Sequence, residues 1–307
     1  MGSSITGIFN ILATPFTPEG DVDHVSLSRL VDFQIKLGVA GLTALGVLGE
    51  AAKLTVDERR AVMDAVFSAN NGRVNVVIGT SHKDLDTCIE LSKAAQNAGA
   101  NGVMIAPPPM NNPTDDDIVA LYCRIAEQID IPIVVQDFPP VNNITMTPAM
   151  LAALAETVPN CRTIKLEDPP LMQKITAIRA ATDRYDILGG LGGMFLLEEL
   201  KRGAAGTMTG FAFNEVLLAV YHAFKAGNEA RAERIFDHFL PLIRFENQPV
   251  INLPIRKLLL QLRGAIAHPG LRQPYAPIDQ GTRDEVHWIL KRVGIDDPTA
   301  VINFDSF

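Results

Sequence analysis

The sequence predicts an α/β fold in which eight parallel strands close into a (β/α)8 barrel, the TIM-barrel architecture, followed by a C-terminal helical extension. Two observations support this prediction. Eight short apolar runs rich in β-branched residues alternate with amphipathic helical segments. Several of these runs are apolar on both faces, which is typical of buried parallel strands. A doubly wound open sheet is the alternative, but residues 13–16 are not the glycine-rich turn that usually follows its first strand.

The predicted strands and helices follow one another along most of the chain. Thr55 can cap a helix over residues 56–69, and Glu58 lies where the acid of a capping box belongs. Thr147, followed by a proline, opens a helix over residues 147–156 in the same way. The other helical patterns cover residues 84–97 and 115–128, and the eight predicted strands are residues 7–15, 41–47, 75–80, 102–106, 133–138, 162–167, 186–190 and 206–211.

More helical segments follow the eighth strand than a barrel needs. They cover residues 215–226, 229–245, 251–262 and 283–293. No low-complexity linker separates them from the strands. We therefore expect a barrel over residues 1–225 and a helical extension over residues 226–307, packed together as a single structural unit.

Composition and charge exclude several classes of function. The chain has 307 residues and 47% apolar content, enough for one large core. Its net charge of −8, without a basic stripe, argues against a nucleic-acid partner. No run approaches 18 apolar residues, and the N-terminus lacks the basic and apolar regions of a secretory leader. We expect a cytoplasmic protein with no membrane partner.

Cysteines and histidines predict neither disulfides nor a metal site. Cys88, Cys123 and Cys161 are odd in number and far apart, so they are interpreted as reduced thiols. The six histidines form no HxH or HExxH pair. We expect no metal and no cofactor.

The sixth predicted strand carries a lysine and a carboxylate on one face. Side chains alternate along a strand, so Lys165 and Glu167 share one face while Ile164 and Leu166 share the other. A solvated edge strand would show the same pattern. If the apolar face packs on helices, however, Lys165 and Glu167 point into the barrel, at the strand end where barrel enzymes carry their reactive groups.

Polar or glycine-rich residues also end other predicted strands. Glycines there let a ligand approach the backbone, and exposed N–H groups can hold a carboxylate. Turn or packing glycines are the alternative for any one loop, but their coincidence on one rim favours a site. The predicted substrate-binding residues are Gly46, Val47, Leu48, Gly49, Glu50, Gln136, Gly190 and Thr207.

An inward lysine without a metal site suggests Schiff-base chemistry on a ketone or an aldehyde. The amine of Lys165 adds to the carbonyl, water leaves, and the resulting iminium acidifies the adjacent carbon. Such an intermediate needs a group that moves protons. Glu167, two residues along on the same face, is the predicted general base or acid.

A family resemblance rests on several motifs in chain order. They are Thr14-Pro15-Phe16, Gly46-Val47-Leu48-Gly49-Glu50 with Leu54-Thr55, Gly79-Thr80, Ile131-Pro132-Ile133, Ile164-Lys165 and Gly203-Ala204-Ala205-Gly206. Together they resemble the dihydrodipicolinate synthase and N-acetylneuraminate lyase family over nearly the whole chain. The resemblance implies that Lys165 is the Schiff-base lysine and that residues 46–50 hold the 2-oxo carboxylate of the substrate.

The chain departs from this family at the residues that relay protons. Val47 and Leu48 stand where the family usually has two hydroxyl residues, and Gln136 stands where it usually has a tyrosine. A second family tyrosine is replaced within residues 107–109, and the synthase arginine is missing from residues 140–143. These departures argue against lysine biosynthesis and weaken the case for sialic acid or aldol cleavage.

One branch of the family fits better. The Lys-x-Glu of the sixth strand, the Gln-Asp of the fifth and residues 240–243 with 246–247 are similar to the L-2-keto-3-deoxyarabonate dehydratase type. The likeness implies that Glu167 removes the C3 proton and that the C4 hydroxyl leaves as water. Residues 46–50 do not look like those of the arabonate enzyme, so a different sugar acid is expected.

We therefore expect a Schiff-base lyase that dehydrates a 2-keto-3-deoxy sugar acid, with a small 2-keto acid as its partner. A retro-aldolase that releases pyruvate is the first alternative, and a deaminating elimination from a cyclic imino acid is the second. A barrel that binds a keto acid without turnover is the alternative outside the enzymes. Family members often assemble, which implies a homotetramer or a homodimer.

Overall fold

The computed structural model describes residues 4–307. Eight parallel strands form a closed barrel in which each strand pairs with its neighbours in sequence and the first pairs with the eighth. The predicted fold class is therefore confirmed. The strands are β1 (Gly7–Ile11), β2 (Gly41–Ala44), β3 (Asn75–Gly79), β4 (Gly102–Ile105), β5 (Ile133–Asp137), β6 (Cys161–Leu166), β7 (Asp186–Gly189) and β8 (Gly206–Thr209).

Helices surround the strands and continue beyond the last of them. Those of the barrel are α1 (His24–Leu37), α2 (Val56–Asn70), α3 (Leu85–Asn97), α4 (Asp115–Ala126), α5 (Pro148–Thr157), α6 (Leu171–Ala181), α7 (Leu196–Lys201) and α8 (Asn214–Lys225). The C-terminal helices are α9 (Glu229–Glu246), α10 (Asn252–Leu262) and α11 (Gln280–Arg292). The boundary expected between residues 225 and 226 stays a prediction, and residues 1–3, which contributed to the expectation about a leader, lie outside the described part.

Helix starts follow the capping signals in the sequence. Thr55 accepts from the backbone N–H of Glu58, and Glu58 accepts from that of Thr55, so the predicted capping box of α2 is present. Thr147 caps α5 with Pro148 in the first turn. Each cap satisfies N–H groups that the helix cannot satisfy itself and contributes about 1 kcal/mol.

Several strands are shorter than expected at their C-terminal ends. β2 ends at Ala44 rather than at Val47, because Leu45 takes a positive φ of 60° and turns the chain out of the sheet. β1 ends at Ile11, four residues before the expected Pro15. The residues after the ladder therefore belong to the loops above the barrel, where ligands bind in this fold.

Two apolar layers fill the barrel and its surroundings. The inner cluster consists of Ile5, Phe9, Ile11, Val77, Met104, Val134, Leu188 and Met208. A larger outer cluster lies between strands and helices and includes Ile8, Ile78, Val135 and Ile164. This alternation is the period of two expected of strands that are buried on both faces.

Ion pairs, some of them buried, join the C-terminal region to the barrel. Lys257 of α10 lies 2.7 Å from Glu50, in the loop after β2. Arg263 lies 2.5 Å from Glu215 at the start of α8, and Arg272 donates to Glu58 at the start of α2 over 2.8 Å. The extension therefore covers loops and helix ends of the barrel.

Candidate active site

Lys165 of β6 and Glu167, one residue past the end of that strand, carry ionisable side chains into the barrel. Lys165 pairs in register with Gln136 of β5 and with Leu188 of β7, whose side chain belongs to the inner cluster. Ile164 lies in the outer cluster, so Lys165 and Glu167 share the inner face, as the alternation predicts. The Nζ of Lys165 contacts Oε2 of Glu167, and both side chains are at least nine-tenths buried. The structure thus brings together the two residues predicted to be catalytic.

The Glu167 carboxylate receives further bonds from neighbouring strands. Gln136 donates from Nε2 to Oε2 over 3.1 Å, and the backbone N–H of Leu191 donates to Oε1 over 3.4 Å. A Cβ added to Gly190 would lie 2.5 Å from Cγ of Glu167. Only glycine leaves room for the carboxylate here. Gln136 and Gly190, both predicted to bind substrate, are therefore immediate neighbours of Glu167.

A second group of charges lies behind the same strands. Lys174 of α6 places Nζ 2.5 Å from Asp137, at the end of β5, and 2.6 Å from Asp168, just after β6. Burial raises the pKa of Asp137 to about 6, and the nearby Lys174 charge partly opposes this rise. This group joins the ends of β5 and β6 on their helix side and so steadies the strands that carry Gln136, Lys165 and Glu167.

The glycine-rich loop after β2 lies above the inner cluster. Its residues 47–49 form one turn of 3-10 helix, and a Cβ on Gly46 would lie 3.2 Å from the side chains of Ile11 and Met104. Leu48 packs against the inner cluster, whereas Val47 is half exposed. Thr14 donates from its hydroxyl to the carbonyl of Gly49 over 2.7 Å. The loop therefore presents backbone and one apolar side chain to the barrel mouth.

Glu50 ends this loop, and its carboxylate forms structural bonds to other parts of the chain. Oε1 lies 2.7 Å from Nζ of Lys257, and Oε2 accepts from Lys53 and from the backbone N–H of Arg272, each over 3.1 Å. Both oxygens are therefore occupied. The structure does not bring this carboxylate to Lys165, and we no longer assign it to substrate.

Thr207 lies on the other face of its strand. Its successor, Met208, belongs to the inner cluster, and its cross-strand partner on β1, Ile8, belongs to the outer cluster. Thr207 is therefore directed towards the helices, and the structure does not bring it to Lys165. The expectation failed because Gly-Thr-Met-Thr lacks the apolar alternation that would reveal which residues face inwards.

One buried acid near the site was not expected from the sequence. Glu199 of α7 is 1% exposed, and its Oε2 has no hydrogen-bond partner among residues 4–307. Burial, followed by the negative charges of Glu167 and Glu198, raises the pKa of Glu199 to about 8. Adjacent glutamates in Leu-Leu-Glu-Glu-Leu do not show which of the two is buried, so the sequence held no signal for it.

Comparison with known proteins identifies the family. The model of the dihydrodipicolinate synthetase family matches residues 4–293. The chain therefore belongs to this family, and the resemblance inferred from its motifs is confirmed. Members of the family are lyases and aldolase-like enzymes.

Individual relatives cover nearly the whole chain. The L-2-keto-3-deoxyarabonate dehydratase of Azospirillum brasilense is 32% identical over 94% of both chains. The crystal structure of a dihydrodipicolinate synthase from Rhodopseudomonas palustris is 37% identical, covers 94% of this chain and 97% of its own, and superposes with a TM-score of 0.88. YagE from E. coli K12, solved in complex with pyruvate, is 25% identical, covers 95% of this chain and 100% of its own, and has a TM-score of 0.89.

Among residues 4–307, no helix is both long enough and apolar enough to span a bilayer.

Proposed function

We propose that this member of the dihydrodipicolinate synthetase family is a Schiff-base lyase that dehydrates a 2-keto-3-deoxy sugar acid. The observation that carries the proposal is the inward pair of Lys165 and Glu167, with the Gln136 amide bonded to the same carboxylate oxygen. The dehydratase name of the Azospirillum relative agrees with it, and the pyruvate complex of YagE agrees with a 2-keto acid ligand.

In the proposed reaction Lys165 forms the covalent intermediate. Its neutral amine attacks the C2 ketone, and loss of water gives an iminium that withdraws electrons from C3. We propose that the backbone of residues 46–49 holds the adjacent carboxylate. Leu48 of the same loop packs its apolar side chain against the inner cluster.

Glu167 would act twice in this scheme. Its carboxylate removes a C3 proton and leaves an enamine, and the protonated acid then returns that proton to the departing C4 hydroxyl, which leaves as water. The product is an unsaturated iminium, and hydrolysis frees Lys165. Gln136 and the N–H of Leu191 hold the carboxylate in place, and Gly190 leaves the space that it occupies.

Retro-aldol cleavage shares the iminium but requires a base for the C4 hydroxyl proton. An amide cannot serve as that base, so Gln136 cannot take the place of a phenol. The hydroxyls of Tyr122, Tyr185 and Tyr221 donate to backbone carbonyls of Ile105, Leu151 and Ala205, respectively. These contacts remove three of the four tyrosines as candidates for that base, which favours elimination over cleavage.

A panel of five- and six-carbon 2-keto-3-deoxy acids tests the proposal. We expect a product lighter by one water in mass spectrometry and no pyruvate in a lactate dehydrogenase assay. Pyruvate release would instead establish the retro-aldolase. If no acid is consumed and borohydride traps no adduct on Lys165, the chain is a binding barrel or uses different chemistry.

The expected assembly stays a prediction. Several large apolar side chains are exposed on the single chain, among them Val47 beside the proposed site, Phe195 and Trp288. Burial of such side chains between copies would explain their exposure. Light scattering of the purified protein would distinguish the monomer from the expected dimer or tetramer.

A further inference from the structure

Two buried carboxyl groups lie on opposite faces of the end of β7. Glu167 packs against Gly190 inside the barrel, and Glu199 of α7 packs against Gly189 on the helix side. A Cβ on Gly189 would overlap the Glu199 carboxyl, just as a Cβ on Gly190 would overlap that of Glu167. Gly189 and Gly190 are consecutive residues, and consecutive Cα atoms are about 3.8 Å apart. The two carboxyl groups therefore pack against opposite sides of a single peptide unit.

The surroundings of Glu199 are those of a neutral acid. Its Oε2 is buried without a hydrogen-bond partner among the described residues, and Thr207, which pairs with Gly189 across the sheet, has a buried hydroxyl in the same condition. An ionised carboxylate without partners is costly at such a position. The raised pKa of Glu199, about 8, agrees with a protonated side chain at neutral pH.

The charges near Glu199 reinforce this state. Glu167 acts on it from β6 and Glu198 from its own helix, and both are acidic. The basic residue of the same helix, Lys201, is bonded at the surface to Glu229 and Glu233 of α9. The negative charge of Glu167 therefore helps to keep the proton on Glu199.

We propose that Glu199 is a positioning residue for Glu167. The two acids on either side of β7 carry one negative charge between them: Glu199 keeps its proton, and the charge lies on Glu167, beside Lys165. The proposal rests on the proposed acid–base role of Glu167. It follows from coupled titration, in which each site responds to the charge of the other. A nearby negative charge opposes the loss of a proton from an amine, so ionisation of Glu199 at alkaline pH should slow an attack that requires the neutral amine.

Infrared spectroscopy tests the shared charge without substrate. At pH 7 the wild-type protein should show a carbonyl band of a protonated carboxyl group that is absent in Glu199→Gln and present in Glu198→Gln, the matched control for the exposed neighbour. This band should titrate near pH 8, and its midpoint should fall in Glu167→Gln because a charge that favours protonation is gone. If Glu199→Gln still shows the component that titrates near pH 8, or if Glu167→Gln leaves its midpoint in place, the proposal is overturned.

The pH profile of turnover tests the consequence. We expect the ratio of kcat/KM in Glu199→Gln to that in the wild type to rise as pH passes through about 8, and the same ratio for Glu198→Gln to stay constant. At pH 9 Glu199→Gln should exceed the wild type by about threefold, the size of a weak charge coupling. A ratio that does not change with pH in Glu199→Gln would overturn the coupling. If no sugar acid is turned over, the proposed function fails, while the infrared midpoint still decides whether the acids are coupled.

Discussion

Two buried lysine–glutamate pairs in this protein have the same composition but different surroundings. Lys165–Glu167 lies inside the barrel, and Lys257–Glu50 joins α10 to the loop after β2. The side chains of both pairs are more than nine-tenths buried. Burial and charge pairing alone therefore do not separate the pair that we propose to be catalytic from the other.

The difference lies in how fully each lysine amine is bonded. Lys257 also donates to the carbonyl of Gly270 over 2.8 Å and lies 4.4 Å from the centroid of the Phe16 ring, while both oxygens of Glu50 have partners. The Nζ of Lys165 bonds to Glu167, beside the space that Gly190 leaves. Lys257 is held by a carboxylate, a carbonyl and a ring, so it fixes the loop after β2. Among residues 4–307 the Lys165 amine has Glu167 as its partner and can exchange it for a substrate.

The largest effect is expected at Lys165. Lys165→Arg keeps a positive charge beside Glu167 but cannot form a Schiff base, so kcat should fall by roughly 10³-fold or more. Borohydride reduction in the presence of pyruvate should label the wild type at Lys165 and leave the variant unlabelled, as mass mapping would show. Labelling of another lysine in the wild type would contradict the assignment.

The next effect separates the two steps of the reaction. Glu167→Gln should still be trapped on Lys165, because the amine remains, but kcat should fall by about 10²–10⁴-fold, since the C3 proton has lost its acceptor. Rapid-quench kinetics would show an iminium that forms and does not proceed. Turnover at the wild-type rate would remove Glu167 from the mechanism.

At the second pair we expect the stability to change instead. Lys257→Met leaves Glu50 with Lys53 and one backbone N–H, and should lower the free energy of unfolding by about 3 kcal/mol. Borohydride labelling of Lys165 should persist in the folded variant. Removing both charges in Lys257→Met/Glu50→Gln should recover part of the loss in urea unfolding. A double variant no more stable than the single one would show that packing, not charge, explains the effect.

A smaller effect is expected from pH. Burial lowers the pKa of Lys257 from 10.5 to about 8, although the Glu50 charge opposes this. Between these values the unfolded chain binds a proton that the folded protein does not, so this lysine makes stability rise with pH. Relative to Lys257→Met, the wild type should gain on the order of 2–3 kcal/mol between pH 8 and pH 10.5 in urea unfolding. Parallel curves for both proteins would contradict the lowered pKa.

The same contrast explains what the sequence could predict. The period of two along β6 places Lys165 and Glu167 on one face, and Gln136 follows from the adjoining strand, because alternation is a local property. Lys257, the partner of Glu50, lies 207 residues away. Nothing near residue 50 therefore shows whether this carboxylate binds substrate or forms a structural ion pair. The faces on which Thr207 and Glu199 lie depend on how a short strand and a short helix are rotated against their neighbours. Only the packing of the folded protein reveals this.

The bonds that Lys257 and Arg272 make to Glu50 also affect the order in which the protein folds. All eight strands are complete at residue 209, yet Lys257 and Arg272, which secure the proposed carboxylate loop, follow 48 and 63 residues later. A growing chain that had already closed its barrel would still lack the bonds that hold this loop. Newly synthesised molecules would therefore form the barrel before the loop of residues 46–50 is held in place.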